Sequence, residues 1–172
     1  MTTTTLIAEI RTSTDELLDA ISLFTHEQLN QVPFAGSWTP GQVAQHLLKS
    51  ESGIPQLFEG NTAPANREPD ALVPVIHSIF LDFTTKMQSP DFILPDEEPK
   101  NGEALRQQLK QNREHILQLI STRDLTRHLT DFAFPELGEL TGFEWMKFMI
   151  SHAKRHTHQM KNMLPHFNSV SK

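Results

Sequence analysis

The sequence predicts an all-α protein, a four-helix bundle with one or two short extra helices. Apolar residues recur at three- and four-residue steps along long stretches of the chain. Thr- and Pro-containing starts and Pro- or Gly-rich breaks separate those stretches, and no segment alternates with the two-residue period of a half-buried strand. Amphipathic helices without a sheet must bury their apolar stripes against one another, which is the inventory of a bundle.

Leu6, Ile10, Leu17, Ile21 and Phe24 carry the first stripe, widened by Ile7 and Leu18 and entered through threonines, while Glu9, Arg11, Asp15, Glu16 and Asp19 mostly lie off it. Pro33 and Gly36 break the chain. Thr39 as N-cap and Pro40 at the first helical position then start a second helix, carried by Val43, Ala44, Leu47, Leu48, Ile54, Leu57 and Phe58 to about Gly60, with Pro55 expected to bend or interrupt it. A polar, Pro-containing loop leads to a shorter apolar helix expected over Pro74 to Met87. Residues 89–101 hold Pro90, Pro95 and Pro99 and read as a connector. Glu103 to Ser121 is the next amphipathic helix, with Leu105, Leu109, Ile116, Leu119 and Ile120 inward. After the segment from Phe132 to Gly138, the last helix runs from about Thr141 to Leu164, closed by Pro165.

The chain has 172 residues and is expected to form one domain over 1–172. At this size a fold buries roughly 70% of its unfolded surface and needs no disulfide staple. Zero cysteines exclude a disulfide framework, a zinc ribbon, an iron–sulfur cluster and a catalytic thiol. The net charge of -6 argues against nucleic acid as a partner. No run approaches the roughly 18 apolar residues of a membrane span, and the N-terminus lacks the basic start and apolar run of a signal peptide, so a cytoplasmic location without membrane partners is expected. The outlier is histidine, nine of the 172 residues.

Trp145, Met149, His152, His156, Gln159 and Met163 advance along the last helix in alternating steps of four and three, one continuous stripe. It is apolar at both ends and polar in the middle, and each buried imidazole or amide left unpaired there costs ~1–3 kcal/mol. Histidines at i and i+4 place two nitrogens on one cation, so a metal ion is one economical way to satisfy the cluster; hydrogen-bonded core histidines are the other. His46, between Val43 and Leu47 on the buried side of the second helix, offers a third imidazole. His158 lies off the stripe and is expected in solvent, and His166 in a fraying tail. His26, His77, His115 and His128 read as surface or packing residues. Gln159 is expected to bond either a ligand or the backbone.

Other chemistries fail on the letters. No glutamate is followed three residues later by histidine, as a di-iron carboxylate bundle requires, and His-Glu-x-x-His is absent. Nor is there a Walker loop, a Gly-x-Gly-x-x-Gly, a Gly-x-Ser-x-Gly or an EF-hand loop.

Two segments resemble those of a known family. Ser37-Trp38-Thr39-Pro40-Gly41-Gln42-Val43-Ala44-Gln45-His46-Leu47 is similar to the helix-two signature of the DinB/YfiT-like superfamily. The stretch from Phe134-Pro135-Glu136-Leu137-Gly138-Glu139-Leu140-Thr141 through Glu144-Trp145 to His152-Ala153-Lys154-Arg155-His156-Thr157-His158-Gln159 resembles its C-terminal signature, and the connector Ser89–Pro95 also resembles that of a subgroup. The family is unrelated to the DNA polymerase that shares the DinB name. The resemblance implies an up-down-down-up connectivity, a homodimer, and one divalent ion per chain, nickel or zinc, on His46, His152 and His156. Characterised relatives include bacillithiol S-transferases and mycothiol-dependent isomerases. Others carry only the general label of metal-dependent hydrolase, or none.

Three neutral imidazoles leave the ion its full charge and an open position, the pattern of catalytic sites. Such an ion lowers the pKa of bound water towards ~7 or holds a thiolate. The expected function is therefore a metal-dependent enzyme acting on a small molecule, a low-molecular-weight-thiol S-transferase or a hydrolase. Without cysteine, any thiol must come with the substrate. The alternatives are a non-catalytic metal- or ligand-binding bundle related to stress, and a structural dimer with vestigial histidines. Glu51 and Glu144 are general-base candidates only by nearness in sequence. Lys154 and Arg155 flank the ligands and either attract an anionic substrate or form a solvated basic face.

Overall fold

The computed structural model describes residues 2–168, Asn168 by its backbone alone; residue 1 and residues 169–172 of the expected 1–172 domain lie outside the described residues. Helices account for most of the chain: α1 (Thr3–Ser22), α2 (His26–Leu29), α3 (Pro40–Ser52), α4 (Ile54–Glu59), α5 (Val73–Phe80), α6 (Gly102–Ile120) and α7 (Gly142–Asn168). Two two-residue strands, β1 (Thr62–Ala63) and β2 (His128–Leu129), pair antiparallel with Thr62 opposite Leu129. They are too short to leave an alternating pattern in sequence.

Local chemistry sets the helix starts. The Thr2 side chain accepts from the Thr5 N–H to open α1, and Asn101 accepts from the Ala104 N–H to open α6. Thr39 and Gln42 form a reciprocal capping box at α3, followed by Pro40 at the first helical position. Thr141 and Glu144 do the same at α7: Glu144 N–H donates to Thr141 Oγ1, and Thr141 N–H to a Glu144 carboxylate oxygen. As expected, the second helical stretch is interrupted, α3 ending at Gly53 and α4 carrying Pro55 in its first turn.

Two expectations are corrected, and one short helix is added. The helix expected to reach Met87 stops at Phe80, because the Asp82 carboxylate accepts from the Thr84 N–H and from the hydroxyls of Thr84 and Thr85 and pulls the chain into a turn. Pro165 does not close the last helix; it lies inside α7, whose final turn is held where the Phe167 ring meets Phe24 edge-on at 5.9 Å. The four-residue helix α2, with its own Thr25–Gln28 capping box, went unread between longer elements.

The longer helices pack pairwise, α1 against α6 and α7, and α3 against the same two. The apolar core falls into two clusters. One joins Leu6 and Ile10 of α1 to Ile116 and Ile120 of α6 and to Trp145 and Met149 of α7. The other joins Leu17 and Ile21 of α1 to Val43 and Leu47 of α3, Leu109 of α6, and Ala153 and Met160 of α7. In sequence along α1, α6 and α7, the polar residues Ser13, Arg113 and His152 stand between the members of the two clusters, and all three are buried. No helix among the described residues is long and apolar enough to cross a membrane.

Candidate metal centre

His46 of α3 and His152 and His156 of α7 converge from two helices that pack side by side, and all three are buried. The Nε2 atoms of His46 and His152 are 3.1 Å apart, and those of His152 and His156 are 3.0 Å apart. The three candidate ligand atoms lie within 4.8 Å of one another.

The partners of the other ring nitrogens decide what sits between the rings. His46 Nδ1 faces the Ile93 carbonyl at 3.0 Å, and His156 Nδ1 faces the Gln159 carbonyl oxygen at 2.7 Å. Both partners only accept, so each Nδ1 carries the proton. Ser50 Oγ donates to the Leu47 carbonyl at 2.9 Å, which leaves it to accept from His152 Nδ1 at 3.3 Å. In this assignment all three neutral rings present bare Nε2 lone pairs to one another. A direct Nε2–H···Nε2 hydrogen bond would need a ring charged by a second proton.

Burial opposes that charge. Desolvation lowers the pKa of His46 against the raising effect of the Ile93 carbonyl. His152 is driven well below the usual histidine value, by burial first and then by His156, His46, Arg155 and Arg113. His156 falls to about 3, again by burial first, with His46 and Arg155 adding and Gln159 opposing. Three lone pairs turned on one another without a proton repel, and a cation between them would remove that repulsion. Two imidazole nitrogens on one ion at about 2.0–2.1 Å are separated by about 2.8–3.4 Å for angles from square to tetrahedral. The observed spacings of 3.0 and 3.1 Å fall in that range. The donor set fits a divalent metal, and the acceptors on Nδ1 are the outer contacts that orient metal-binding imidazoles.

All three histidines line a pocket of about 1220 Å³. Phe148 stacks on His152 with ring centroids 5.2 Å apart, and Trp38 stands 5.1 Å from His46. Gln159 thus acts on His156, a partner that the sequence pattern does not distinguish from a bound ligand or the backbone. Ser50 and the Ile93 carbonyl went unread. Ser50 follows His46 by one helical turn, so spacing held a signal; Ile93 contributes a backbone atom from a connector, which no residue pattern announces.

The general-base candidates are corrected. Glu51 lies outside the pocket wall, its two oxygens accepting from Arg113 Nε at 2.8 Å and Nη2 at 2.6 Å. Glu144 also lies outside it and accepts from Arg67 and from the N–H groups of Leu72 and Thr141. Their lone pairs are spent on structure. Arg155 lines the pocket while the adjacent Lys154 is exposed outside its wall. His158 is exposed, as expected, yet stacks on Phe83 at 4.5 Å on the pocket wall. His166 sits within α7 beside Phe34 rather than in a frayed tail. His26 and His115 are exposed and His77 and His128 half-buried, all four outside this cluster.

Fold and site together define a class: a helical protein in which three buried, neutral imidazoles from two helices could hold one metal at the edge of a large pocket. The chain belongs to the DinB superfamily, whose family model matches residues 9–160. It is similar to the Bacillus subtilis (strain 168) protein described as uncharacterized protein YuaE, with 28% identity over 144 residues, 80% of this chain and 83% of that one. No solved structure matches significantly.

Proposed function

We propose that this chain is a divalent-metal-dependent enzyme acting on a small molecule, either a low-molecular-weight-thiol S-transferase or a hydrolase. His46, His152 and His156 hold nickel or zinc, one ion per chain. The wider reading is a single domain with α1, α3, α6 and α7 as the up-down-down-up bundle, working in the cytoplasm as a homodimer. The observation that carries the metal assignment is the forced tautomer, three Nε2 lone pairs turned on one another by acceptors at every Nδ1.

Once bound, a divalent ion supplies Lewis acidity to an oxygen or sulfur atom of the substrate. The chain's own residues prepare the place. Burial keeps the imidazoles neutral at neutral pH, so their lone pairs are free. No carboxylate belongs to the cluster, so the ligands cancel none of the ion's charge. Trp38, Phe80 and Phe148 line the pocket beside the histidines and keep bulk water from them. The absence of cysteine leaves a thiol substrate as the source of any sulfur nucleophile.

Elemental analysis of tag-free protein should return a single nickel or zinc per chain, lost when His46→Ala is combined with His156→Ala. Unchanged metal content in that variant would overturn the site. Activity towards a panel of thiols with electrophiles, and of esters and amides, should vanish with chelator and return with metal. Silence from the loaded protein across the panel would favour a binding protein instead.

A further inference from the structure

The pocket's wall says more about its ligand than the metal does, provided the pocket is a substrate site as just proposed. Its volume of about 1220 Å³ exceeds the ~300–1000 Å³ typical of small-ligand sites. Its wall includes Trp38, Phe80, Phe83, Phe92, Phe134 and Phe148. Two of these are left in water, Phe83 at 44% and Phe92 at 67% exposure. Such rings form a surface on which a flat apolar molecule stacks.

Charge adds direction. Arg155 and Lys49, both half-buried in the wall, are held by backbone carbonyls: Arg155 donates to Asp82 at 2.5 Å and to Thr85, and Lys49 to Leu94 at 2.8 Å. These contacts fix the cations without neutralising them. Neither makes an ion pair with a carboxylate among the described residues. The wall's carboxylates, Asp91 and Glu136, are on exposed residues, where water screens them. Trp145, 4% exposed and also in the wall, carries a buried indole N–H with no partner among the described residues. A buried donor without an acceptor is costly, and an acceptor on a ligand would relieve it.

We propose that the pocket selects an organic anion with an aromatic body, its ring stacked among the phenylalanines and its anionic head drawn by the positive charge of Arg155 and Lys49. A small polar thiol alone would leave most of the apolar wall uncovered. In a transferase the aromatic anion is the electrophile's class; in a hydrolase it is the class of the ester or amide.

The test uses the protein's own reporters, since both of its tryptophans, Trp38 and Trp145, line this pocket. Full-length, tag-free protein is titrated with 2-naphthoate, 2-naphthalenemethanol, 2-naphthylmethylamine and cyclohexanecarboxylate while tryptophan emission and calorimetric heat are followed. Naphthoate should bind saturably, one per chain, at least tenfold tighter than the alcohol or the cyclohexane acid and tighter still than the amine. Arg155→Gln, which keeps a donor for the loop carbonyls, should bring the naphthoate-to-alcohol ratio towards unity. Phe92→Ala, at a position 67% exposed, should weaken both by a similar severalfold. Equal binding of the alcohol, amine or cyclohexane acid, or no naphthoate binding, overturns the proposal. Metal content, measured on the same samples, separates the two readings. Naphthoate selectivity in protein that takes up no ion leaves this proposal standing and removes the metal site; a loaded protein that ignores naphthoate does the reverse.

Discussion

An imidazole offers a metal the nitrogen that its other nitrogen's partner leaves bare, and Gln159 makes that choice for His156 across 2.7 Å. Losing such an outer contact typically costs 10–100-fold in metal affinity. Gln159→Leu should therefore weaken zinc binding by about that factor, whereas Gln159→Glu, which keeps an acceptor at Nδ1, should retain it. Competition against a chromophoric chelator reads the affinity directly, and equal affinities in all three proteins would show that ring orientation does not depend on this contact. At this scale the sequence is legible only in part. His152 and His156 stood out as polar positions on an apolar stripe, and His46 as an imidazole on a buried helix face. Gln159 lay on the same stripe, but periodicity gives a side chain's face and not its partner. Glu51 and Glu144 misled for that reason: a buried carboxylate near a site in sequence looks like a base until its cation is seen, here Arg113 and Arg67.

At the scale of elements, the Ser-Trp-Thr-Pro-Gly-Gln segment has a physical explanation in two parts. Thr39, Pro40 and Gln42 start α3, and Gly41 lets it approach its neighbours. A Cβ on Gly41 would lie 2.8 Å from the Leu29 carbonyl oxygen and 2.8 Å from Lys100 Cβ. Neither neighbour yields easily, because Lys100 is tied through its N–H to Asn30 at 2.6 Å and through its ammonium group to Asp96. Gly41→Ala should cost about 1–3 kcal/mol, the usual penalty of forcing extra volume into a packed site. Gly53→Ala at the end of the same helix meets nothing within 4 Å and should be neutral or slightly stabilising. Urea denaturation of the two variants makes the comparison, and equal midpoints would remove the close-approach argument. Caps, Pro55 and the long amphipathic stretches were legible because each depends on neighbours in sequence. The end of α5 and the run of α7 past Pro165 were not. The first turned on the bonding of one carboxylate, Asp82, and the second accompanies a contact between Phe167 and distant Phe24.

On the scale of the whole molecule, a layer of buried polar residues, Ser13, Glu51, Arg113 and His152, stands in sequence between the members of the two apolar clusters, with His46 and His156 buried close to His152. The Arg113 guanidinium donates to Ser13 at 3.0 Å as well as to Glu51, and its charge is among those that keep His152 neutral. This layer makes stability depend on pH in a definite direction. In chelator-stripped protein the native rings of His46, His152 and His156 have pKa values below the ordinary 6.5, while in the unfolded chain they return to it. His77 shifts the same way, by desolvation first and then by Lys147 and Lys154. Between those values the unfolded state binds more protons than the native one, so stability is full above the unfolded pKa and declines as pH falls below it. The slope approaches ~1.4 kcal/mol per pH unit for each histidine that stays neutral in the fold. Carboxylates titrate mainly below about pH 4.5, which leaves the interval from about pH 6 to 5 to the histidines. His156→Leu fills the same buried position with a group that cannot take a proton in either state. Its unfolding free energy, measured by urea denaturation across that interval, should fall less steeply than that of the parent by about one histidine's share. Identical slopes would mean that His156 titrates alike in both states, and the polar layer would then impose no proton cost at this position.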